Sequence, residues 1–135
     1  MTVTQPFVEL YETDFNDYTT TNNLVFSITA PLSVVNVTFN GTTRTEFDDQ
    51  LFFFSNFTFS IVLASVVSPS TAVILPDVSA QTSTMYFNIY QPLALSLSGT
   101  LPAGTYVARI HVYNPESGFG VKLIGNMSAV IVRAQ

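Results

Sequence analysis

Apolar and polar residues alternate one by one along much of this chain, and no stretch shows the 3.6-residue period of an amphipathic helix. Tyr106, Ala108, Ile110 and Val112 alternate with Val107, Arg109, His111 and Tyr113. Met85, Phe87 and Ile89 alternate with Tyr86, Asn88 and Tyr90, while Leu93, Leu95 and Leu97 form a further one-sided row. A period of two sends one set of side chains to a buried sheet face and the other set outward. Clusters of Gly, Pro, Asn and Ser interrupt the runs roughly every 8 to 12 residues, the spacing of sandwiches and barrels. The pattern predicts an all-β protein: one domain over residues 1–135, a two-sheet antiparallel β-sandwich of jelly-roll type with about 8–10 strands.

The strand candidates are Pro6 to Tyr11, Leu24 to Thr29, Ser33 to Phe39, Leu51 to Phe54, Phe57 to Val67, Thr71 to Leu75, Thr82 to Tyr90, the leucine row, Tyr106 to Val112 and Met127 to Arg133. In the long run, Phe57, Phe59, Ile61 and Leu63 share a face. Glu12 to Asn23 reads as an acidic loop, Leu101-Pro-Ala-Gly104 as a corner, and Asn114 to Gly120 as a loop. Asn40-Gly41 is a strong turn signal. A three-residue connection there sets Val37 opposite Thr45 and Val35 opposite Phe47, a better match of faces than a two-residue one.

Composition excludes several classes of function. Apolar residues make up 47% of the chain and charged residues only 10%, so a core is assured and disorder is not expected. The net charge is −5, and the four cations, Arg44, Arg109, Lys122 and Arg133, are scattered. Phosphate backbones and anionic membranes need clustered cations, so neither is an expected partner. The absence of cysteine removes disulfides, thiolate metal sites and thiol nucleophiles. The start, Met1-Thr-Val-Thr-Gln-Pro6, lacks the basic and apolar regions of a signal peptide. No apolar run reaches the ~18 residues of a membrane helix, since Thr58, Ser60 and Ser65 break the longest candidate. Membrane insertion is not expected.

Catalytic and cofactor motifs are weak. His111 is the only histidine and lies on the polar side of its strand beside Arg109. A Ser-His-Asp triad would have to use it, but there is no G-x-S-x-G elbow. Asp14-Phe-Asn16-Asp17 and Asp48-Asp49 offer oxygen ligands without the spacing of a calcium loop. None of the six glycines forms a phosphate-binding loop. The expectation is a protein with no catalytic residues, no metal and no cofactor.

What remains is surface. Asn36, Asn40, Asn56 and Asn126 each begin an Asn-x-Ser/Thr sequon, with Asn40 expected at a hairpin tip. Tyr18, Tyr86, Tyr90 and Tyr113 are candidate platforms for sugars or peptides. In the last strand Ala129 and Ile131 point one way and Val130 and Val132 the other, so both faces are apolar. An antiparallel strand with one wet face alternates apolar and polar, so such a strand is covered on both sides, by a loop or by another subunit. Large apolar residues exceed what one small sandwich needs.

The segment Leu101-Pro-Ala-Gly-Thr-Tyr-Val-Ala-Arg-Ile-His-Val-Tyr113, with Leu123-Ile-Gly-Asn-Met-Ser-Ala-Val-Ile-Val-Arg-Ala134, resembles the C-terminal part of C1q/TNF-like jelly rolls, a fold also found in phage and viral spike or fibre proteins. The resemblance covers the last third of the chain. It implies a homotrimer about a three-fold axis, with the aromatic-rich strands lining that axis. Phe52, Phe54, Phe57, Phe59, Tyr86, Tyr90 and Ile131 are then the candidate subunit-interface residues. The leading expectation is a non-enzymatic virion structural protein (a capsid, decoration, turret or spike subunit) that is homo-oligomeric and contacts other capsid or surface proteins. The alternatives are a carbohydrate- or receptor-binding module, or an extracellular filament subunit whose donor strand carries Val3, Phe7 and Val8.

Overall fold

In the computed structural model the described residues are 1–11, 17–47, 54–67, 71–86, 89–114 and 119–134. They form nine strands: β1 (Thr2–Tyr11), β2 (Asp17–Thr19), β3 (Leu24–Phe47), β4 (Phe54–Ser65), β5 (Ala72–Val73), β6 (Asp77–Val78), β7 (Ala80–Tyr86), β8 (Gln91–Tyr113) and β9 (Phe119–Arg133). All pairings are antiparallel, and no described residue is helical.

Two very long strands organise the fold. β3 and β8 pair along almost their whole length, and their register slips between Ile28 and Leu32. At that slip the ribbon turns from one layer into the other. The first layer holds β1, β9, the C-terminal part of β3 and the N-terminal part of β8. The second holds the start of β3, the end of β8, and β4 with its partners β5 and β7. β2 is added at the end of β8, and β6 near its middle. Because β3 and β8 belong to both layers, the hydrogen-bonded sheet is continuous, in the order β1-β9-β3-β8-β4-β5. The result is a β-sandwich of jelly-roll type with one core between the layers.

The alternation in the sequence maps onto that core. Phe57, Phe59, Ile61 and Leu63 of β4, Leu93, Leu95 and Leu97 of β8, and Tyr106, Ala108, Ile110 and Val112 of β8 are all buried. Phe7 and Phe39 meet edge to face, with ring centroids 5.4 Å apart at 74°. Phe26 stacks on Tyr106 at 5.7 Å.

Four expectations are corrected. Asn40-Gly41 is not a turn: β3 runs straight through it, pairing Gly41 with Leu93 on one side and Gly125 on the other. Both glycines permit close backbone contact there, since a Cβ on Gly41 would lie 2.1 Å from the Ile124 carbonyl oxygen. The two strands expected before that turn are therefore halves of one bent strand. Part of the expected loop 12–23 pairs as β2, where Thr20 accepts from the Ile110 amide (3.1 Å) and donates to the Asn22 carbonyl (2.9 Å). Ile89 is exposed, because β7 ends at Tyr86 and its alternation with it. The first strand starts at Thr2 and contains Pro6.

Pro6 is tolerated because of its register. Met1 exchanges both backbone hydrogen bonds with Ile131 (2.8 and 2.9 Å), so odd-numbered residues of β1 bond to β9 and even-numbered ones face the open edge. Pro6 thus sits where its missing N–H breaks no ladder bond, and it removes a donor from the edge. Asn22 Nδ2 donates to the Val8 carbonyl on that same edge, at 2.5 Å. Val3, Phe7 and Val8, the candidate donor residues, are seated in the chain's own sheet, with Phe7 in its core.

The corner expected at Leu101–Gly104 is the bend in β8. Tyr106 folds back over it and donates to the Pro102 carbonyl at 2.8 Å. Burial pushes the Tyr106 hydroxyl pKa upward. Ser79 fastens the β6–β7 segment to the other half of β8, donating to the Ser96 carbonyl and accepting from the Ser96 amide at 2.7 Å.

Candidate interaction surfaces

The outer face of the first layer is built from the even-numbered residues of β1, β9, β3 and the N-terminal half of β8. Away from the bend it is polar. Thr4 and Ser128 hydroxyls lie 3.0 Å apart, and Ser98 donates to Asn36 Oδ1 at 2.8 Å. Toward the bend it becomes aliphatic. Val34 lies directly opposite Val132, and Val130 opposite Asn36 and Thr2. Leu32, Val34, Val130 and Val132 are 47%, 50%, 42% and 58% exposed. The Leu32 carbonyl accepts from the Ala134 amide (3.0 Å), which brings the end of β9 alongside Leu32. No described loop of the chain covers these four side chains, so the doubly apolar last strand is explained by an open outer face.

The interface residues expected from the sequence are distributed differently. Phe57 and Phe59 are 0% exposed, and Ile131 is buried beside Ala129. These are core residues, a correction with a simple cause: they occupy the inward parity of β4 and β9, where large side chains fill the space between layers. Tyr90 is exposed, with the Arg44 guanidinium 5.0 Å from its ring centre. Phe52 lies outside the described residues, as do the side chains of Phe54 and Tyr86. The outward members of the last strand, Val130 and Val132, are the exposed ones.

All four sequon asparagines are exposed. Asn36, Asn40 and Asn126 stand on the outer face of the first layer, and Asn40 and Asn126 are direct cross-strand partners. Asn56 lies on β4.

On the outer face of the second layer, Val25, Val107, Ala64 and Ala72 are successive register partners across β3, β8, β4 and β5. Beside them a cavity of about 240 Å³ is lined by Val62, Val107, Arg109 and Thr19, among others. His111 Nε2 pairs with Asp17 Oδ1 at 2.9 Å, and Ser60 is its cross-strand partner. The pair stands on an open sheet face, with Asp17 65% exposed. Tyr113 is exposed nearby and Tyr18 half-buried. Among the described residues no three His, Asp or Glu side chains cluster as a metal site would need. Most of Asp14–Asp17, and Asp48-Asp49, lie outside the described residues. No helix among the described residues is long and apolar enough to cross a membrane.

No family model matches the chain, and no curated protein matches it. Solved structures do. A carbohydrate-binding module, TmCBM61, solved with β-1,4-galactotriose, is similar over 98% of this chain and 88% of its own, at 8% identity and a TM-score of 0.42. A chain of the T13 viral particle of infectious bursal disease virus is similar over 95% of this chain, at 11% identity and a TM-score of 0.48. This protein spans 31% of that viral chain. Eiger TNF from S. frugiperda is similar over 96% of this chain and 94% of its own, at 12% identity and a TM-score of 0.41.

Proposed function

We propose that this chain is a non-enzymatic structural subunit of a virion, a capsid, decoration, turret or spike protein that works by protein–protein contact. The observation that carries the reading is the uncovered aliphatic patch of Leu32, Val34, Val130 and Val132 on a regular sheet face. Each such side chain gains about 25 cal/mol per Å² when another chain covers it. The patch alone is small, but contacts repeated over many copies add by effective concentration. The scarcity of charge fits surfaces that are buried in an assembly, since a free soluble domain of this size carries about a quarter charged residues.

The expected homo-oligomer, with a trimer favoured, uses this face in place of the aromatic strands. Light scattering against concentration tests the reading. Mass rising with concentration, or binding to particles, supports it, and a monomer that stays monomeric when concentrated and binds no particle contradicts it.

The alternatives, a carbohydrate- or receptor-binding module or an extracellular filament subunit, place the same sandwich outside a cell. The filament reading requires a free sheet edge or a free donor strand. β1 is bonded to β9, and its edge is interrupted by Pro6 and Asn22, so the assembly reading is preferred.

A further inference from the structure

Where β3 bends from one layer to the other, the sandwich opens into a cleft of about 470 Å³. That volume lies within the range of small-molecule sites. Its walls come from both layers: Ser27, Ile28 and Thr29 lead into the bend, and Ser33, Ile131 and Arg133 lie beyond it. Ser33 and Arg133 are cross-strand partners and therefore share a face. Ser33 is 1% exposed and lines the cleft. Among the described residues the cleft is lined by the Arg133 guanidinium, by Met1, whose terminal ammonium donates to the Ile131 carbonyl, and by three hydroxyl residues, with no Asp or Glu, in a chain whose net charge is −5.

We propose that this cleft binds a small molecule of the acidic-sugar class, a carboxylate on a hydroxyl-rich ring. The guanidinium of Arg133 offers the planar fork that a carboxylate accepts. Ser33 and Thr29 both donate and accept, as vicinal hydroxyls require. Ile28, Pro31 and Ile131 supply an apolar wall for the C–H face of a ring. The inference is independent of the assembly reading, because the cleft and the aliphatic patch use opposite parities of β3 and β9.

The test is an amide NMR titration of the whole chain with glucuronate, glucose and inorganic phosphate, each taken well past millimolar concentration. Glucuronate is expected to give saturable shifts in Ser27 to Ser33 and Ile131 to Arg133, with glucose binding at least about tenfold more weakly. Arg133→Met is expected to weaken glucuronate by at least about tenfold, and Ser33→Ala by a smaller factor, with unchanged spectra elsewhere. Arg133 is exposed, so its variant keeps the fold. Absence of saturable shifts with glucuronate, or unchanged affinity in Arg133→Met, overturns the proposal. Phosphate binding as tightly as glucuronate also overturns it, since the hydroxyl-rich ring would then play no part.

Discussion

Gly41 and Gly125 face each other across β3 and β9, so close that a Cβ on either would lie 2.7 Å from the Cα of the other. Phe7 and Leu93 flank them, giving the cross-strand row Phe7–Gly125–Gly41–Leu93 on the core side. Large side chains thus border a strip where two backbones approach without any. Gly41→Ala and Gly125→Ala are each expected to destabilise the fold by about 1–3 kcal/mol, because the obstructing atoms are backbone and cannot rotate away. Urea unfolding of the two single variants and the double variant measures this. The double variant should depart from additivity, since the two sites touch.

Tyr106 closes the bend of β8 through its bond to the Pro102 carbonyl. Tyr106→Phe is expected to lower stability by about 0.5–1.5 kcal/mol at neutral pH. Its raised pKa also makes a pH prediction. In the unfolded chain the phenol ionises near its ordinary value of 10.0 while the folded state still holds it neutral. Its contribution is therefore complete below that value and is lost as pH rises through the folded pKa. Chemical denaturation between neutral and strongly alkaline pH should show the wild type losing stability more steeply than Tyr106→Phe.

Thr43 is buried in the core, and its hydroxyl has no hydrogen-bond partner among the described residues. Thr43→Val removes the unpartnered group while keeping the branched shape. It is expected to raise stability by about 1 kcal/mol, read as a higher midpoint with an unchanged slope in urea unfolding.

The core was legible because alternation is a direct consequence of strand geometry. The inward sets Phe57 to Leu63, Leu93 to Leu97 and Tyr106 to Val112 follow from period alone. The course of β3 was not, because Asn-Gly has two uses. In most hairpins the glycine supplies a turn, whereas here Gly41 admits a neighbouring backbone, and only the partner Gly125, far away in sequence, distinguishes the two. Three of the interface candidates, Phe57, Phe59 and Ile131, are core residues for a related reason. Size alone does not mark an outer surface: Phe57 and Phe59 fill the inside, while the smaller Val34 and Val132 stand outside. The pairing of Val34 with Val132 depends on a register that no local pattern carries. The cleft at the bend was equally hidden, since Ser33 and Arg133 meet across a hundred residues of chain.

The central claim is that the chain acts through the aliphatic outer face around Val34 and Val132. Sedimentation velocity over a wide concentration range, comparing the wild type with a Val34→Lys, Val132→Lys double variant, tests it most directly. Both positions are exposed, so the fold should tolerate the change to within about 0.5 kcal/mol per site. The account predicts that the wild type forms larger species as concentration rises while the folded variant remains monomeric. A wild type that stays monomeric throughout, or a variant that associates as readily as the wild type, would contradict it.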